Sequence, residues 1–197
     1  LIGRMYNCSD GVIEIDDNDI QKLNLYDLRN SIGYVPQDPF LFSDTINNNI
    51  KFGKDDTSDK AVIEAAKSAV VHSNILNFSQ GYETVLGERG ITLSGGQKQR
   101  ISMARAFIKT PRILLLDDCL SAVDTETEKE ILNNLNKITK NRTTLIVSHR
   151  ISSVKNADHI IVLELGKIIQ QGTHNQLIVK EGYYKALYEK QLQESTS

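Results

Sequence analysis

The chain has 197 residues, 40% hydrophobic and 24% charged, and at this size it can bury roughly 70% of its unfolded surface without disulfides or a structural metal. Its net charge of −2 gives no overall electrostatic support to non-specific nucleic-acid binding, and no apolar run approaches the roughly 18 residues of a membrane span. Two cysteines, Cys8 and Cys119, cannot make a secreted disulfide framework, which favours a reducing compartment.

The apolar stretch Leu1–Tyr6 reads like the last turns of a helix already running, with no cap before it, so a piece of a longer protein is expected. Val12-Ile13-Glu14-Ile15 is a short β-rich run ended by the turn-forming Asp16-Asp17-Asn18-Asp19. Ile32–Val35 is a second strand, stopped by Pro36. A helical middle follows, in which Val62, Ala65, Ala66, Ala69 and Val70 fall at helical spacing. After the glycine-rich Leu93-Ser94-Gly95-Gly96-Gln97 a helix carries Ile101, Ala104, Phe107 and Ile108 inward and stops before Pro111. Ile113–Leu116 is a continuous apolar run ending in two aspartates, the pattern of a buried parallel strand. A helix with Ile131, Leu135 and Ile138 on one face leads to a further buried-type strand, Thr143–Val147, which ends at Ser148-His149. Strands Ile160–Leu163 and Lys167–Ile169 meet at a Gly166 turn, and a final helix packs Tyr184, Leu187, Tyr188 and Leu192 from outside. This alternation predicts an α/β fold with a mainly parallel sheet and a helical insert between Pro36 and Pro111.

Several positions carry chemistry. Asp117-Asp118 ends the strongest strand, where open α/β sheets bind ligands, and a carboxylate there can hold Mg²⁺ against a nucleotide phosphate. Two loop aspartates capping the next helix would look the same. Ser94, Gly95 and Gly96 open a helix whose unpaired N–H groups and dipole make an anion site, with the Ser94 hydroxyl as a further donor; a plain glycine-rich helix start is the alternative. His149, at the end of the second buried strand, is placed to donate to a terminal phosphate or to serve as a structural imidazole. His72, His159 and His174 show no metal-ligand spacing. Gln37, between Pro36 and Asp38-Pro39, sits in a defined turn from which its amide can reach a metal or phosphate. Lys98, Arg105 and Lys109 share a helix side and read as a solvated stripe, without the interleaved aromatics of a nucleic-acid surface.

Taken in order, these pieces resemble the nucleotide-binding domain of an ATP-binding cassette (ABC) transporter along essentially the whole chain. Leu93–Gln97, running into Lys98-Gln99-Arg100, matches the signature motif, and Ile113–Asp117 the Walker B strand. Ser121-Ala122-Val123-Asp124 matches the D-loop, His149 the switch histidine and Gln37 the Q-loop glutamine. Gly33–Phe42 looks like the exporter Q-loop, and Gly87-Glu88-Arg89-Gly90 like the exporter X-loop that meets the coupling helices of the transmembrane domains.

The resemblance implies a P-loop NTPase-like core with a helical signature subdomain at about 38–110, and core-lobe parts at 1–37 and 111–197. It implies a cytoplasmic-face ATPase of an exporter, using ATP and Mg²⁺, that pairs head to tail with a second nucleotide-binding domain. Asp117 would bind Mg²⁺ through water, Gln37 would touch metal and attacking water, and His149 would hold the γ-phosphate. Ser94, Gly95, Gly96 and Gln97, with Asp124 of the D-loop, would complete the partner's ATP site.

There are two departures. No Gly-x-x-x-x-Gly-Lys-[Ser/Thr] occurs in the chain, and neither does the adenine-stacking aromatic loop; the family places that phosphate cradle, and its strand, just before the segment that starts at Leu1. The chain alone is therefore expected to lack the P-loop strand, to carry an unpaired sheet edge and to bind ATP weakly. At Asp118 most members have Glu, so this chain resembles the degenerate half of a heterodimeric bacterial multidrug exporter. The rival readings are a catalytically silent interaction module offering only its signature face, and a soluble repair or translation ATPase of the same superfamily, against which Glu88-Arg89-Gly90 speaks.

Overall fold

Asp16 and Asp17 both adopt left-handed backbone, with φ of 49° and 62°, and fold Glu14–Ile15 (β1) back on Asn18–Asp19 (β2) as an antiparallel hairpin. The aspartate run thus supplies the turn and the returning strand together. The computed structural model in which this is seen describes residues 1–54, 56–87 and 93–196. It divides into two units, Leu1–Leu145 and Ile146–Ser197.

In the first unit, Asn24 caps α1 (Leu25–Ser31), which runs directly into β3 (Ile32–Val35). Leu28 and Ile32 join Ile20 and Ile113 in one apolar cluster against Ile2, Ile13, Ile15, Leu23 and Leu115. The helical middle holds α2 (Ile46–Lys51) behind a Thr45 cap, α3 (Asp59–Ser68) behind a Ser58 cap, α4 (His72–Leu76) and α5 (Gly95–Ile108). Ile46, Ile50, Val62, Ala66, Ile75, Ile101 and Met103 are buried among these helices, as their spacing requires. β4 (Ile113–Asp117) runs parallel to β3 with Ile32 opposite Ile113 and Val35 opposite Leu116. Asp124 caps α6 (Thr125–Ile138), and β5 (Thr143–Val147) takes the third place in the sheet order β3-β4-β5.

The second unit comprises α7 (Ile151–Val154), the antiparallel pair β6 (Ile160–Glu164) and β7 (Lys167–Gly172), α8 (His174–Ile178) and α9 (Tyr183–Thr196). Ile151, Ile160, Leu177 and Tyr184 form its core. Among the described residues no helix is long and apolar enough to cross a membrane.

Four expectations change. Within residues 1–6 the chain is turn and bend rather than helix, with Arg4 at φ 51° and its N–H bonding the Leu1 carbonyl at 2.8 Å, a left-handed residue past which no helix continues. β5 is only half-buried, with Leu145 and Val147 exposed, because it lies at the end of its sheet and is paired on one side. Leu192 is about half exposed, 47%, rather than buried. The stripe Lys98, Arg105 and Lys109 is not solvated throughout. The Arg105 guanidinium donates to the Asn49 carbonyl (2.8 Å), the Asn49 side-chain oxygen (2.9 Å) and the Phe40 carbonyl (2.8 Å). Lys109 donates to the carbonyls of Arg29 and Ile32 at 3.0 and 2.9 Å.

Candidate active site

Asp117 is the last residue of β4 and Gln37 lies two positions beyond β3, so the Val35–Leu116 register puts both past the same end of a parallel pair. Gln37 is exposed and Asp117 half-buried. One Asp117 oxygen, Oδ2, accepts from the Tyr34 hydroxyl at 3.4 Å. Burial first, and the Asp117 charge second, push the Tyr34 pKa up, so Tyr34 keeps its proton and stays a donor. Asp118 follows with φ 42°, and its carbonyl accepts from the Ser121 hydroxyl at 2.9 Å, turning the chain out of the strand into the Ser121–Asp124 loop. Cys119, next in sequence, is buried; burial, with the charges of Asp118 and Asp117 adding to it, pushes its thiol up to about 12.

Ser94 makes a capping box at the start of α5. Its hydroxyl oxygen accepts from the Gln97 N–H at 3.2 Å, and the Gln97 side-chain oxygen accepts from the Ser94 N–H at 3.0 Å. With that oxygen used as an acceptor, the Ser94 O–H proton remains available to donate, beside the first-turn N–H groups of Gly95 and Gly96.

The D-loop packs directly on this helix start. A Cβ at Gly96 would stand 2.8 Å from the Ala122 carbonyl oxygen, so the loop backbone occupies the place of a side chain. One turn along, Gln99 is 4% exposed and divides its amide between two motifs: Nε2 donates to the Gln37 carbonyl at 3.3 Å, and Oε1 accepts from the Ala122 N–H at 3.3 Å. Arg100 donates to the Gly96 carbonyl (3.2 Å), to Asn74 Oδ1 (3.0 Å) and to the Val70 carbonyl, tying α5 to the residues around α4. Asp124 accepts from the Thr127 N–H at 2.9 Å, and this bonding, with a smaller contribution from the Arg100 charge, holds its carboxyl below the ordinary range. Gln99 and Gly96 therefore join the start of α5 to the Gln37 loop and to the Ser121–Asp124 loop that follows Asp117-Asp118.

His149 belongs to the second unit. It is exposed, in the loop between β5 and α7, and its carbonyl accepts from Gln191 Nε2 of α9 at 2.8 Å. Glu88 and Arg89 lie outside the described residues. Among the described residues no cluster of three or more His, Cys, Asp or Glu could hold a metal ion. Asp117 alone suits an oxygen-seeking divalent cation that keeps waters and phosphate oxygens as its other ligands, since its Oδ1 has no hydrogen-bond partner among the described residues.

Sequence reasoning missed three residues here. Gln99 and Tyr34 fall within the stretches matched to the signature and the Q-loop, but the sequence assigns them no role, and Gln191 fits no chemical pattern in one dimension.

The family profile described as ABC transporter matches residues 1–121. The chain is 47% identical over its full length to the ATP-binding cassette sub-family B member 6 of Xenopus tropicalis, covering 23% of that protein. It is 52% identical over 97% of its length to the ABC transporter ATP-binding protein YknU of Bacillus subtilis, covering 33% of it. It is 50% identical over 95% of its length to a putative multidrug export ATP-binding/permease protein of Staphylococcus aureus (strain NCTC 8325 / PS 47), covering 32%. Among solved structures it matches a bacterial Atm1-family ABC exporter with ATP bound, with a TM-score of 0.94 and 42% identity over 97% of this chain and 34% of that one. The chain thus spans about a quarter to a third of the proteins it matches, and it belongs to the ABC transporter family, with the ATP-binding α/β fold of that family's exporters.

Proposed function

We propose that this chain forms the larger part of an ATP-hydrolysing domain that drives export through a transmembrane domain, at the cytoplasmic face of a membrane. The observation that carries the reading is the joining of signature helix, Q-loop and D-loop by Gln99 and Gly96, which assembles three motif segments at the end of one parallel strand pair. In this reading the segment 38–110 is the signature subdomain, and 1–37 with 111–197 belongs to the core lobe.

Asp117 would hold Mg²⁺, which when bound would neutralise phosphate charge. Tyr34 orients the Asp117 carboxylate through its hydroxyl. Gln37 orients the attacking water, Asp118 accepts that water's proton, and His149 donates to the γ-phosphate. Ser94, Gly95 and Gly96 present donors to the γ-phosphate of an ATP held by a second nucleotide-binding domain, identical or different, and Gln97 keeps Ser94 in that pose. Asp124 holds the D-loop against α6 at the same seam. Closure and reopening of that dimer pass to membrane helices through the Glu88–Arg89 region.

The 197 residues contain no Gly-x-x-x-x-Gly-Lys-[Ser/Thr], so hydrolysis also needs a phosphate cradle from sequence outside them. That same feature favours the second reading for the polypeptide alone, a silent module that offers its signature face to a partner. The deciding experiment is phosphate release by the full-length transporter. His149→Ala and Asp117→Asn each lower kcat by roughly 10²–10³-fold in the enzyme reading. Rates equal to wild type in both variants would leave the silent module standing.

A further inference from the structure

The terminal helix α9 lies outside every motif named above, yet it reaches the backbone of the histidine loop. Tyr184, Leu187, Tyr188 and Gln191 share one face of α9 at the i, i+3, i+4, i+7 spacing. Tyr184, 2% exposed, donates to or accepts from His174 Nδ1 at 2.9 Å, and its N–H bonds Gln170 Oε1 at 2.9 Å. Tyr188 meets the edge of the same His174 ring. These contacts fix the helix against α8 and β7. The fourth position of the stripe is then a glutamine where a leucine would continue the apolar pattern.

Its amide explains the choice. Gln191 Nε2 donates to the His149 carbonyl at 2.8 Å, and Gln191 Oε1 accepts from the Ile151 N–H at 2.9 Å. A single planar group thus spans the three residues His149, Arg150 and Ile151. The opposite needs of a carbonyl and an N–H fix which end of the amide points where. A further tie runs from the Arg150 N–H to the Ser148 hydroxyl at 3.0 Å. Below it, Ile151 is locked in the core of the second unit. His149 itself is exposed, so its ring is aimed by its backbone rather than by packing.

We propose that Gln191 is a positioning residue for His149: it clamps the loop backbone so that the imidazole is presented to the γ-phosphate, and it makes the placement of α9 a determinant of the hydrolytic rate. This rests on the role given to His149 above. Gln191 touches no reacting atom, and its effect passes through the histidine backbone alone. A misplacement of about 1 Å in a catalytic group can cost up to a hundredfold, so the clamp controls kcat more than nucleotide affinity.

The test uses the full-length transporter and a double-mutant cycle. Gln191→Leu removes both bonds; Gln191→Glu keeps the acceptor for the Ile151 N–H and loses the donor to His149. The expected result is a kcat roughly tenfold to a hundredfold lower in Gln191→Leu, a loss also in Gln191→Glu, whose carboxylate oxygen would face the His149 carbonyl, and a KM for ATP within about twofold of wild type. In a His149→Ala background, Gln191→Leu should lower the residual single-turnover rate no further. A kcat within twofold of wild type for both variants, or an equal loss with and without His149, overturns the clamp. Thermal melting of each variant separates a general loss of fold from either result. If His149→Ala itself leaves turnover unchanged, the role assigned to His149 fails, and the clamp loses its basis with it.

Discussion

Gln99 and Gln37 are 62 positions apart, yet the side chain of the first donates to the backbone carbonyl of the second at 3.3 Å while accepting from the Ala122 N–H at 3.3 Å. A glutamine is one of the few side chains able to serve a donor and an acceptor together, and at 4% exposure water has little room to replace it. Gln99→Leu keeps the volume but leaves two backbone groups with poor partners. It should destabilise the protein by about 1–3 kcal/mol, read as a lower urea midpoint at constant slope. A midpoint equal to wild type would mean that both groups find other partners.

The two signature glycines differ in a way their shared motif hides. A Cβ at Gly95 would meet only the Ala122 Cβ at 3.6 Å, an ordinary contact, whereas at Gly96 it would stand 2.8 Å from the Ala122 carbonyl oxygen. Gly96→Ala must move the D-loop backbone and should cost about 1–3 kcal/mol in stability. Gly95→Ala should melt within a degree or two of wild type, and any loss of ATPase rate in it then reports on the nucleotide-facing surface. Equal melting temperatures for the two variants would contradict the packing described here.

What sequence alone shows and what it hides divides along physical lines. The strand Ile113–Asp117 was legible because a short continuous apolar run fits few other environments, and the start of α5 because the glycine-rich Leu93–Gln97 precedes apolar residues at helical spacing. The motif residues were legible through the family resemblance. The anchoring of Arg105 and Lys109 was not, since their partners, backbone carbonyls and the Asn49 side chain, lie 56 to 80 positions away. The exposure of β5 was hidden as well, because Leu145 and Val147 have the same composition whether a strand lies inside a sheet or at its end.

Arg105 lies over a pair of rings that pack on each other with centroids 4.3 Å apart, its guanidinium carbon 5.5 Å from the Phe42 centroid and 5.6 Å from that of Phe52, while it donates to Asn49 and Phe40. Burial lowers its pKa to about 10, so it remains charged at neutral pH. Arg105→Lys keeps the charge but loses the planar fork and the stacking. A destabilisation of about 2–4 kcal/mol is expected, seen as a lower urea midpoint; a shift under 1 kcal/mol would show that charge alone suffices.

Asp118 stands where the family resemblance leads one to expect Glu. Its backbone is already turned by φ 42° and the Ser121 hydroxyl, so Asp118→Glu extends the carboxyl by one methylene without altering the loop's own bonds. In a full-length heterodimer the substitution should raise turnover at this site by roughly tenfold or more. An unchanged rate, measured as phosphate release with the partner site inactivated, would place the deficit elsewhere.

Cys119 gives a pH-dependent readout. Its folded-state thiol sits at about 12 against an ordinary value of 9.0, chiefly through burial, so the folded protein holds that proton more tightly than the unfolded chain. Stability from this group is complete below pH 9 and is lost as pH rises from 9 toward 12, where only the unfolded thiol ionises. At pH 8, iodoacetamide should therefore modify the half-buried Cys8 and spare Cys119 until urea unfolds the chain, which peptide mass spectrometry reads directly. Cys119→Ala should flatten the fall in melting temperature above pH 9. Labelling of Cys119 at the same rate as Cys8 in the folded protein would show that the segment after Asp117-Asp118 opens far more readily than its packing indicates.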